Sequence, residues 1–292
     1  MMKKILLLGS GGQLGYDLFL SAPRNIDLHA YDRARLNICD IDTLLRIANT
    51  VRPDFIINAA AYTNVDRAEI EEDLACAVNS NGAENCAKVA EAVGAKLIHI
   101  STNFVFDGYS SSPYKPEDTT FPINVYGQTK ANGEDKIQKV LNDKYIIFRT
   151  SWLYGSHGNN FVKMIIRLLL EKTELSVVDD QIGSPTYSLN LANAIWKSLD
   201  HADMNGIYHW SDMGTCSRHE LSTAIQDLLY KSNITPLTPI AIKPIMTEQY
   251  KTLANRPLYS VLDCTKTYNL IGPGEHWKVA LNRMLGNYLN KL

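Results

Sequence analysis

The sequence has no excess of charge of either sign and no long hydrophobic run. Its 29 lysines and arginines nearly balance 31 aspartates and glutamates, which leaves a formal net charge of −2. A protein that binds nucleic acid or an acidic membrane surface over its whole body needs a basic field, and this composition does not supply one. The apolar segment 164–170 is interrupted by Arg167 and is far shorter than the about 20 residues that span a bilayer. We therefore expect neither nucleic acid nor a membrane as a partner.

The chain also lacks paired cysteines. Its five cysteines include no Cys-x-x-Cys, and its seven histidines show no metal-ligand spacing with them or with each other. An odd number of scattered cysteines is typical of reduced thiols in a cytoplasmic protein, so we expect no disulfide framework, no bound metal and a cytoplasmic location. The apolar run 5–8 leads directly into glycines and is too short for the core of a signal peptide, so we interpret it as a buried strand.

What the 292 residues do contain is an alternation of short apolar runs and segments of helical period. This pattern is typical of βαβ units and a parallel sheet, and the near-continuous apolar runs indicate strands covered by helices on both faces. The predicted strands are 4–8, 27–31, 54–59, 96–101 and 145–149, and the predicted helices among them include 40–51 and 82–93. We expect an α/β fold whose Rossmann-type, doubly wound parallel sheet occupies residues 1–150.

Residues 151–292 are predicted to form a smaller, mainly substrate-binding domain. Helices are expected at 161–172, 218–231 and 276–289, and the apolar segments 174–179 and 206–210 read as strands that can return to the main sheet. Four prolines, Pro236, Pro239, Pro244 and Pro257, favour loop in the region between the last two helices.

A glycine-rich turn, GSGGQLG at 9–15, follows the first predicted strand and opens a helix. Glycines at 9, 12 and 15 allow a tight turn and a close approach of backbone to a pyrophosphate, while the helix N-terminus presents free N–H groups to its charge. The spacing departs from G-x-G-x-x-G, and a purely structural turn is the alternative. The position directly after the first strand favours dinucleotide binding.

Asp32 directly follows the second predicted strand, about twenty residues after the glycine turn, where an acidic residue binds the adenosine ribose of NADH. Arg33 and Arg35 are placed to bind the 2′-phosphate of NADPH instead, so both cofactors stay open. The segment NAAAY at 58–62 closes another strand with small side chains. They leave room for a flat cofactor, although tight helix–sheet packing explains them almost as well.

Tyr126 and Lys130 form a Tyr-x-x-x-Lys pattern, which places a phenol and an ammonium on one helix face. Free tyrosine has a pKa of about 10 and is a poor acid at neutral pH, but a neighbouring ammonium stabilises the phenolate and lowers that pKa. Ser101 and Thr102 end a predicted strand, where ligands of open α/β sheets bind. A hydroxyl there can hydrogen-bond a substrate carbonyl beside the tyrosine, so the combination predicts acid–base chemistry on a carbonyl group.

In this order the motifs resemble those of the extended, nucleotide-sugar-acting short-chain dehydrogenases/reductases, and within them the family of dTDP-4-dehydrorhamnose reductases. The matching segments run along almost the whole chain: GQLG (12–15), NAAAYTNVDRAE (58–69), STNFVFDG (101–108), NVYGQTK (124–130), FRTSWLYG (148–155), GNNFV (158–162), DQIGSPT (180–186) and NRP (255–257). The resemblance implies NAD(P)H-dependent reduction of the C4 ketone of dTDP-4-dehydro-6-deoxy-L-mannose to dTDP-L-rhamnose, a precursor of cell-surface polysaccharide.

The resemblance also implies residue roles. Tyr126 is the expected proton donor to the C4 oxygen, Lys130 is expected to bind the nicotinamide ribose and lower the tyrosine pKa, and Thr102 is expected to orient that site. The residues expected at the cofactor, NADPH or NADH, are Gly9, Gly12, Gln13, Leu14, Asp32, Arg33, Asp40, Ile41, Ala61, Tyr62, Thr63, Tyr126 and Lys130. Those expected at the dTDP-linked sugar are Thr102, Asn103, Trp152 and Arg256; for Trp152 a core role and for Arg256 a loop-bracing role are the alternatives.

Two departures from the family pattern concern the sugar and the metal. Asn103 stands where the family usually has Asp, and Phe104 where it has Tyr, so a different 4-keto-6-deoxysugar nucleotide is an alternative substrate. We expect that the site needs only a hydrogen-bond acceptor at Asn103, in which case Asn103→Asp strengthens binding modestly. If instead the amide donates to the substrate, the same change is expected to cost far more. Asp17 matches one position of a magnesium site through which some relatives dimerise, but Leu189 stands where another carboxylate is expected, so no metal is predicted and a homodimer stays open.

Two alternative functions belong to other classes. Epimerases and dehydratases share this fold, but a dehydratase needs an acid–base pair after Thr102, and Asn103 and Phe104 do not provide one. The regulatory subunit of methionine adenosyltransferase resembles the same family and has no catalytic role. The intact Tyr126 and Lys130 favour an enzyme, because a binding module has no need of a tuned phenol.

Overall fold

The structure is a computed structural model that describes residues 2–232 and 238–289. Its strands are β1 (Lys3–Leu8), β2 (Ile26–Tyr31), β3 (Phe55–Asn58), β4 (Lys96–Thr102), β5 (Tyr145–Thr150), β6 (Leu153–Tyr154), β7 (Glu174–Val178), β8 (Ile182–Gly183), β9 (Thr186–Tyr187), β10 (Gly206–His209), β11 (Cys216–Ser217) and β12 (Ala241–Ile245). Its α-helices are α1 (Gln13–Leu20), α2 (Ile41–Val51), α3 (Val65–Ala68), α4 (Glu72–Cys76), α5 (Gly82–Val93), α6 (Val125–Leu141), α7 (Phe161–Glu171), α8 (Ser188–Ser198), α9 (Arg218–Ser232), α10 (Thr265–Ile271) and α11 (Trp277–Leu289). A π-helical segment (Ala77–Asn81) joins α4 to α5.

The central sheet has six parallel strands in the order β10-β5-β4-β3-β1-β2. The five strands predicted in the first half are all present, each within one residue at either end, and the Rossmann-type, doubly wound fold is confirmed. From β1 the chain builds β2 on one side and then β3 on the other. The strand order therefore reverses between β1 and β3, and the crevice at the carboxyl ends of these strands is where open α/β sheets bind ligands.

Alternate residues of β1 enter two different hydrophobic cores, one on each face of the sheet. Ile5 and Leu7 pack with residues of α1 and α8, whereas Leu6 and Leu8 pack with residues of α2, α5 and α6. All four side chains are fully buried, and burial of each contributes about 1.5–3 kcal/mol relative to exposure. This double coverage explains the continuous apolar runs, because neither face of a central strand meets water.

The second half of the chain has a third core of its own, formed mainly by α7, α9 and α11. Of the two segments expected to return to the main sheet, only β10 does so, pairing with β5. β7 instead pairs in parallel with β12, which lies in the proline-containing region expected to be loop. Pro244 is tolerated there because a two-stranded sheet leaves one side of β12 without ladder hydrogen bonds. Pro236 lies outside the described residues.

None of the helices in the described part of the chain is long and apolar enough to cross a membrane. Among residues 2–232 and 238–289, no three histidine, cysteine, aspartate or glutamate side chains come together in a way that could hold a metal ion.

Candidate active site

One cavity of about 1520 Å³ opens at the carboxyl ends of the central strands. It is lined by every residue predicted for the site except Asp40 and Ile41: Gly9, Gly12, Gln13, Leu14, Asp32, Arg33, Ala61, Tyr62, Thr63, Thr102, Asn103, Tyr126, Lys130, Trp152 and Arg256. Residues from seven separate segments therefore meet in a single space. The cavity is long enough to border both the glycine turn and the residues around Trp152.

The glycine turn brings backbone to the cavity. Gly9 has φ 80°, and a Cβ on it would lie 2.6 Å from the backbone nitrogen of Ala60, so only glycine fits between β1 and β3 here. A Cβ on Gly15 would overlap the carbonyl oxygen of Gly9. Because glycine has no Cβ, α1 can pack closely against the turn. Gly12 is the N-cap of α1, with no side-chain cap hydrogen bond. The first N–H groups of α1 therefore border the cavity without a capping side chain, as a pyrophosphate-binding turn requires.

At the end of β2, Asp32 and Arg33 line the cavity beside the glycine turn. The Asp32 carboxylate accepts a 3.0 Å hydrogen bond from the backbone N–H of Arg35, and the Arg35 guanidinium lies 5.0 Å from the ring centre of Tyr31. Asp32 is thus held in place by its own turn. The arrangement contains both the carboxylate that suits a ribose hydroxyl and the cation that suits a 2′-phosphate.

Asp40 and Ile41 lie outside the cavity lining. The Asp40 carboxylate is the N-cap of α2 and accepts a hydrogen bond from the backbone N–H of Thr43 at 3.1 Å. Hydrogen bonds from Thr43 lower the pKa of Asp40. The contacts of Asp40 are those of a helix cap, whereas Leu36, Asn37 and Ile38 reach the cavity instead. A role of Asp40 and Ile41 at the adenosine stays a prediction.

α6 carries Tyr126 and Lys130 into the cavity, and Asn124 sets where this helix begins by accepting a 2.7 Å hydrogen bond from the backbone N–H of Gly127. Burial raises the pKa of Tyr126, and a hydrogen bond with the Thr102 side chain lowers it. Thr102 therefore lies near the phenol, and its role in orienting the site stays a prediction. Lys130 does not affect the pKa of Tyr126 in this structure, so its expected lowering of that pKa stays a prediction.

Lys130 is 1% exposed and contacts the end of β4. Its Nζ donates to the carbonyl oxygen of Ile100 at 2.6 Å and lies 3.2 Å from Nε2 of His99. Burial lowers the pKa of Lys130 to about 8, and the nearby Glu134 carboxylate opposes that shift. An amine with a pKa close to neutral pH can both hold and release a proton under working conditions.

Asn103 is buried and is engaged by the protein on both sides of its amide. Its Oδ1 accepts from the Thr102 hydroxyl, and its Nδ2 donates to the carbonyl oxygen of Ser260, each at 3.3 Å. The donor is therefore in use within the chain. A carboxylate at this position would place a lone pair against the Ser260 carbonyl. Whether the substrate needs an acceptor or a donor from Asn103 stays a prediction.

Trp152 and two arginines, Arg218 and Arg256, also line the cavity. The Arg256 guanidinium is paired with Asp66 at 2.7 Å, which supports the loop-bracing interpretation of that residue. The Arg218 guanidinium lies 3.6 Å from the ring centre of Trp152 and 4.7 Å from that of Phe161. Its contacts among the described residues are thus aromatic faces, and burial lowers its pKa to about 9.

The sequence patterns did not predict Arg218 as a residue of the site. They also did not predict the buried pair Glu134–Arg149 near Lys130. Arg218 is the first residue of α9, some 66 positions after Trp152, and no local pattern marks it. Glu134 does carry a signal, since it continues the four-residue spacing of Tyr126 and Lys130. It is 2% exposed and forms a two-pronged ion pair with Arg149, with contacts of 2.6–3.1 Å.

These features define the class of the protein. A doubly wound sheet with a glycine turn, and a Tyr-x-x-x-Lys helix beside a strand-end threonine, are those of an extended short-chain dehydrogenase/reductase. The family described as RmlD substrate binding domain matches residues 2–290. The chain belongs to this family.

Relatives and solved structures agree with that assignment. The dTDP-4-dehydrorhamnose reductase of Escherichia coli (strain K12) is 39% identical over 292 residues, covering 96% of each chain. The spore coat polysaccharide biosynthesis protein SpsK of Bacillus subtilis (strain 168) is 39% identical over 285 residues, covering 97% of each. The crystal structure of dTDP-4-dehydrorhamnose reductase from Bacillus anthracis in complex with NADP is 39% identical, with a TM-score of 0.91, and the match covers 98% of this chain and 100% of that one.

Proposed function

We propose that this chain catalyses the NAD(P)H-dependent reduction of the C4 ketone of dTDP-4-dehydro-6-deoxy-L-mannose to dTDP-L-rhamnose, a step in the supply of a cell-surface polysaccharide precursor. The observation that carries the proposal is the position of Tyr126, which lines the same cavity as Thr102, Lys130 and the uncapped start of α1. The near-full-length similarity to reductases of this name supports the choice of substrate.

The cavity fits a nicotinamide dinucleotide. The N–H groups at the start of α1, together with Gly9 and Gly12, would hold the pyrophosphate, and Asp32 and Arg33 would face the adenosine ribose. Ala61, Tyr62 and Thr63 would lie along its middle, and Lys130 would hold the nicotinamide ribose. When bound in its reduced form, the cofactor supplies a hydride.

The chain's own part in the chemistry is proton transfer. As negative charge develops on the C4 oxygen, the Tyr126 hydroxyl donates its proton to that oxygen, and the phenolate left behind is stabilised by Thr102 and by Lys130 in its ammonium form. A proton taken up through Lys130 then restores the phenol. The Thr102 hydroxyl has one hydrogen, which it donates to Asn103 in the resting site and turns to the phenolate once that has formed.

Binding of the nucleotide part is assigned to the arginine end of the cavity. Arg218 stands on aromatic faces and has donors available for a diphosphate, for which a guanidinium is well suited. Arg256 is expected to contribute less to diphosphate binding, because its guanidinium already donates two hydrogen bonds to the Asp66 carboxylate. Trp152 would cover the sugar or base as a flat apolar wall.

The test is the loss of reduced-cofactor absorbance when purified protein is given dTDP-4-dehydro-6-deoxy-L-mannose, with the product identified by NMR. Formation of dTDP-L-rhamnose supports the proposal. A product of different C4 configuration would assign another deoxysugar, the alternative that the departure from the family pattern at Asn103 leaves open. No turnover with any 4-keto-6-deoxysugar nucleotide would favour a regulatory subunit that only binds the cofactor.

Two further expectations belong to the proposal: the enzyme works in the cytoplasm, and it forms a homodimer. Phe19 and Leu20 are 53% and 58% exposed on α1, and a second copy would cover such apolar residues. Light scattering after size-exclusion chromatography tests the dimer, which a monomeric mass at micromolar concentration would contradict.

A further inference from the structure

A chain of buried hydrogen bonds runs from β3 through β4 to Lys130. The backbone N–H of Ala60 donates to Oδ1 of Asn58 at 3.1 Å, and Nδ2 of Asn58 lies 3.1 Å from Nδ1 of His99. Nε2 of His99 lies 3.2 Å from Nζ of Lys130, which donates to the carbonyl oxygen of Ile100. Asn58, His99 and Lys130 are each 1% exposed, so water does not replace these partners.

The backbone N–H of Ala60 determines which groups donate and which accept along this chain of hydrogen bonds. The Ala60 N–H can only donate, so it fixes Oδ1 of Asn58 as the acceptor and leaves the amide NH₂ to donate to Nδ1 of His99. A neutral imidazole that accepts at Nδ1 carries its proton on Nε2. That proton faces Lys130. An ammonium has no lone pair, so with a charged Lys130 two donors would meet at 3.2 Å.

With the ring nitrogens of His99 facing Asn58 and Lys130, no other arrangement of the Asn58 amide and the His99 protons removes the conflict while Lys130 is charged. If the Asn58 amide is turned over, its NH₂ group faces the Ala60 N–H and two donors meet there. If His99 takes the other tautomer, its Nδ1–H faces the NH₂ group of Asn58 and two donors meet at that contact. Protonating His99 adds a second conflict. A neutral amine satisfies every group, because its lone pair accepts from Nε2–H of His99 while one of its own N–H groups donates to Ile100.

We propose that Asn58 and His99 are positioning residues that hold Lys130 as a neutral amine in the cofactor-free site. The proposal rests on the proposed function for the role of Lys130 beside Tyr126. Lys130 then gains its proton when the phenolate of Tyr126 forms, at the expense of its contact with His99. The ammonium therefore exists mainly in the step that needs it, and proton uptake from solvent is coupled to turnover.

The surroundings of Lys130 are consistent with a balance between the two forms. The titratable groups that face it are His99 from β4, Cys86 from α5 and Glu134 from its own helix, with Arg149 from β5 neutralising Glu134. Burial keeps His99 neutral by lowering its pKa, and burial likewise lowers that of Lys130. The Glu134 carboxylate raises the pKa of Lys130 and so opposes the effect of burial. The hydrogen-bond chain then decides between the neutral and the charged form of Lys130.

The first test needs neither substrate nor turnover. Nitrogen NMR of the cofactor-free protein, with ring-labelled histidine and His99 assigned by difference from His99→Gln, reports which ring nitrogen carries the proton. We expect a bare Nδ1 and a protonated Nε2. A proton on Nδ1, or on both nitrogens, would overturn the proposal whether or not the protein reduces a sugar. A protein with the expected tautomer and no reductase activity would refute only the proposed function.

The second test reverses the chain. In Asn58→Asp the carboxylate accepts from both Ala60 and Nδ1–H of His99, so Nε2 becomes an acceptor and favours the ammonium of Lys130. We expect the His99 tautomer to switch and the alkaline limb of the kcat profile to move up by about one pH unit. In the matched control Asn58→Asp/His99→Leu the same carboxylate is present, but no imidazole links it to Lys130. We therefore expect most of the shift of the alkaline limb to vanish. An equal shift in both variants, or an unchanged tautomer in Asn58→Asp, would refute the proposal.

Discussion

The guanidinium of Arg218 is stacked on the ring of Trp152, 3.6 Å from its centre. The ring itself is held, because Gly183 packs so close that a Cβ there would lie 2.5 Å from Cε2 of Trp152. Trp152 also has φ 45°, a left-handed conformation that is rare for a residue other than glycine. The tertiary structure thus maintains a strained residue whose ring supports a cation in the cavity.

Loss of this cation is expected to weaken substrate binding. In Arg218→Met the charge-assisted hydrogen bonds to the diphosphate are lost, and such bonds contribute about 1.5–3 kcal/mol. At 1.4 kcal/mol per factor of ten this predicts a KM for the sugar nucleotide about 10–150-fold higher, with the dissociation constant of NADPH unchanged. Steady-state kinetics and cofactor titration measure the two quantities. Arg167→Met, at an exposed position of α7, is the control, and an unaltered KM in Arg218→Met would contradict the assignment.

Tyr126→Phe removes the proposed acid without changing the shape of the site. We expect kcat to fall by about two to four orders of magnitude, the range for loss of a general acid, with cofactor affinity retained. Stopped-flow measurement of reduced-cofactor absorbance resolves both parameters. The control is Tyr109→Phe, since Tyr109 is 79% exposed. Turnover near that of the unaltered protein in Tyr126→Phe would refute its role as the acid.

The pair Asp32 and Arg33 is expected to allow both cofactors. Arg33 attracts the 2′-phosphate of NADPH, and the Asp32 carboxylate repels it, so the two effects offset each other. We expect kcat/KM for NADPH and NADH to differ by less than about a thousandfold, which corresponds to roughly 4 kcal/mol. Arg33→Ala should shift preference towards NADH and Asp32→Ala towards NADPH. A shift of the same sign in both variants would argue against opposing roles.

Asn103→Asp is expected to destabilise the fold in a pH-dependent way. The carboxylate loses the donor to the Ser260 carbonyl, and burial raises its folded-state pKa above the unfolded value of about 3.9. Below that value both states are protonated and the acid can still donate, so the variant should approach wild-type stability. As pH rises through the folded-state pKa, the cost grows to about 1–3 kcal/mol. Urea denaturation at several pH values measures this, and a pH-independent difference from wild type would contradict it.

The buried pair Glu134–Arg149 is expected to be essential to stability. Glu134→Gln leaves the Arg149 charge uncompensated in a site where both side chains are at most 3% exposed, at a cost of about 3–5 kcal/mol. The control is Glu174→Gln, because the exposed pair Lys243–Glu174 should contribute less than about 1 kcal/mol. Urea denaturation of each variant gives the free energy of unfolding. Equal losses in the two variants would show that the buried pair has no special role.

Local patterns in the sequence were sufficient for most of the secondary structure and for part of the site. The helix predicted at 82–93 has the same bounds in the structure and is capped by Gly94, whose φ of 74° suits glycine. The glycine turn and the Tyr126–Lys130 spacing were likewise readable, because each depends on backbone geometry within a few residues. The apolar runs of the first five strands were clear for a related reason, since burial on both faces leaves no polar alternation to confuse the pattern.

Only the tertiary structure decided which distant residues meet. The sequence alone could not distinguish whether 174–179 returns to the main sheet or pairs with β12, because strand pairing depends on partners far along the chain. It could not show Arg218 on Trp152, Arg256 on Asp66, or His99 between Asn58 and Lys130. A side chain's partners across 30 to 190 residues are set by how helices dock on the sheet, and the protonation state of Lys130 follows from those partners rather than from its neighbours in sequence.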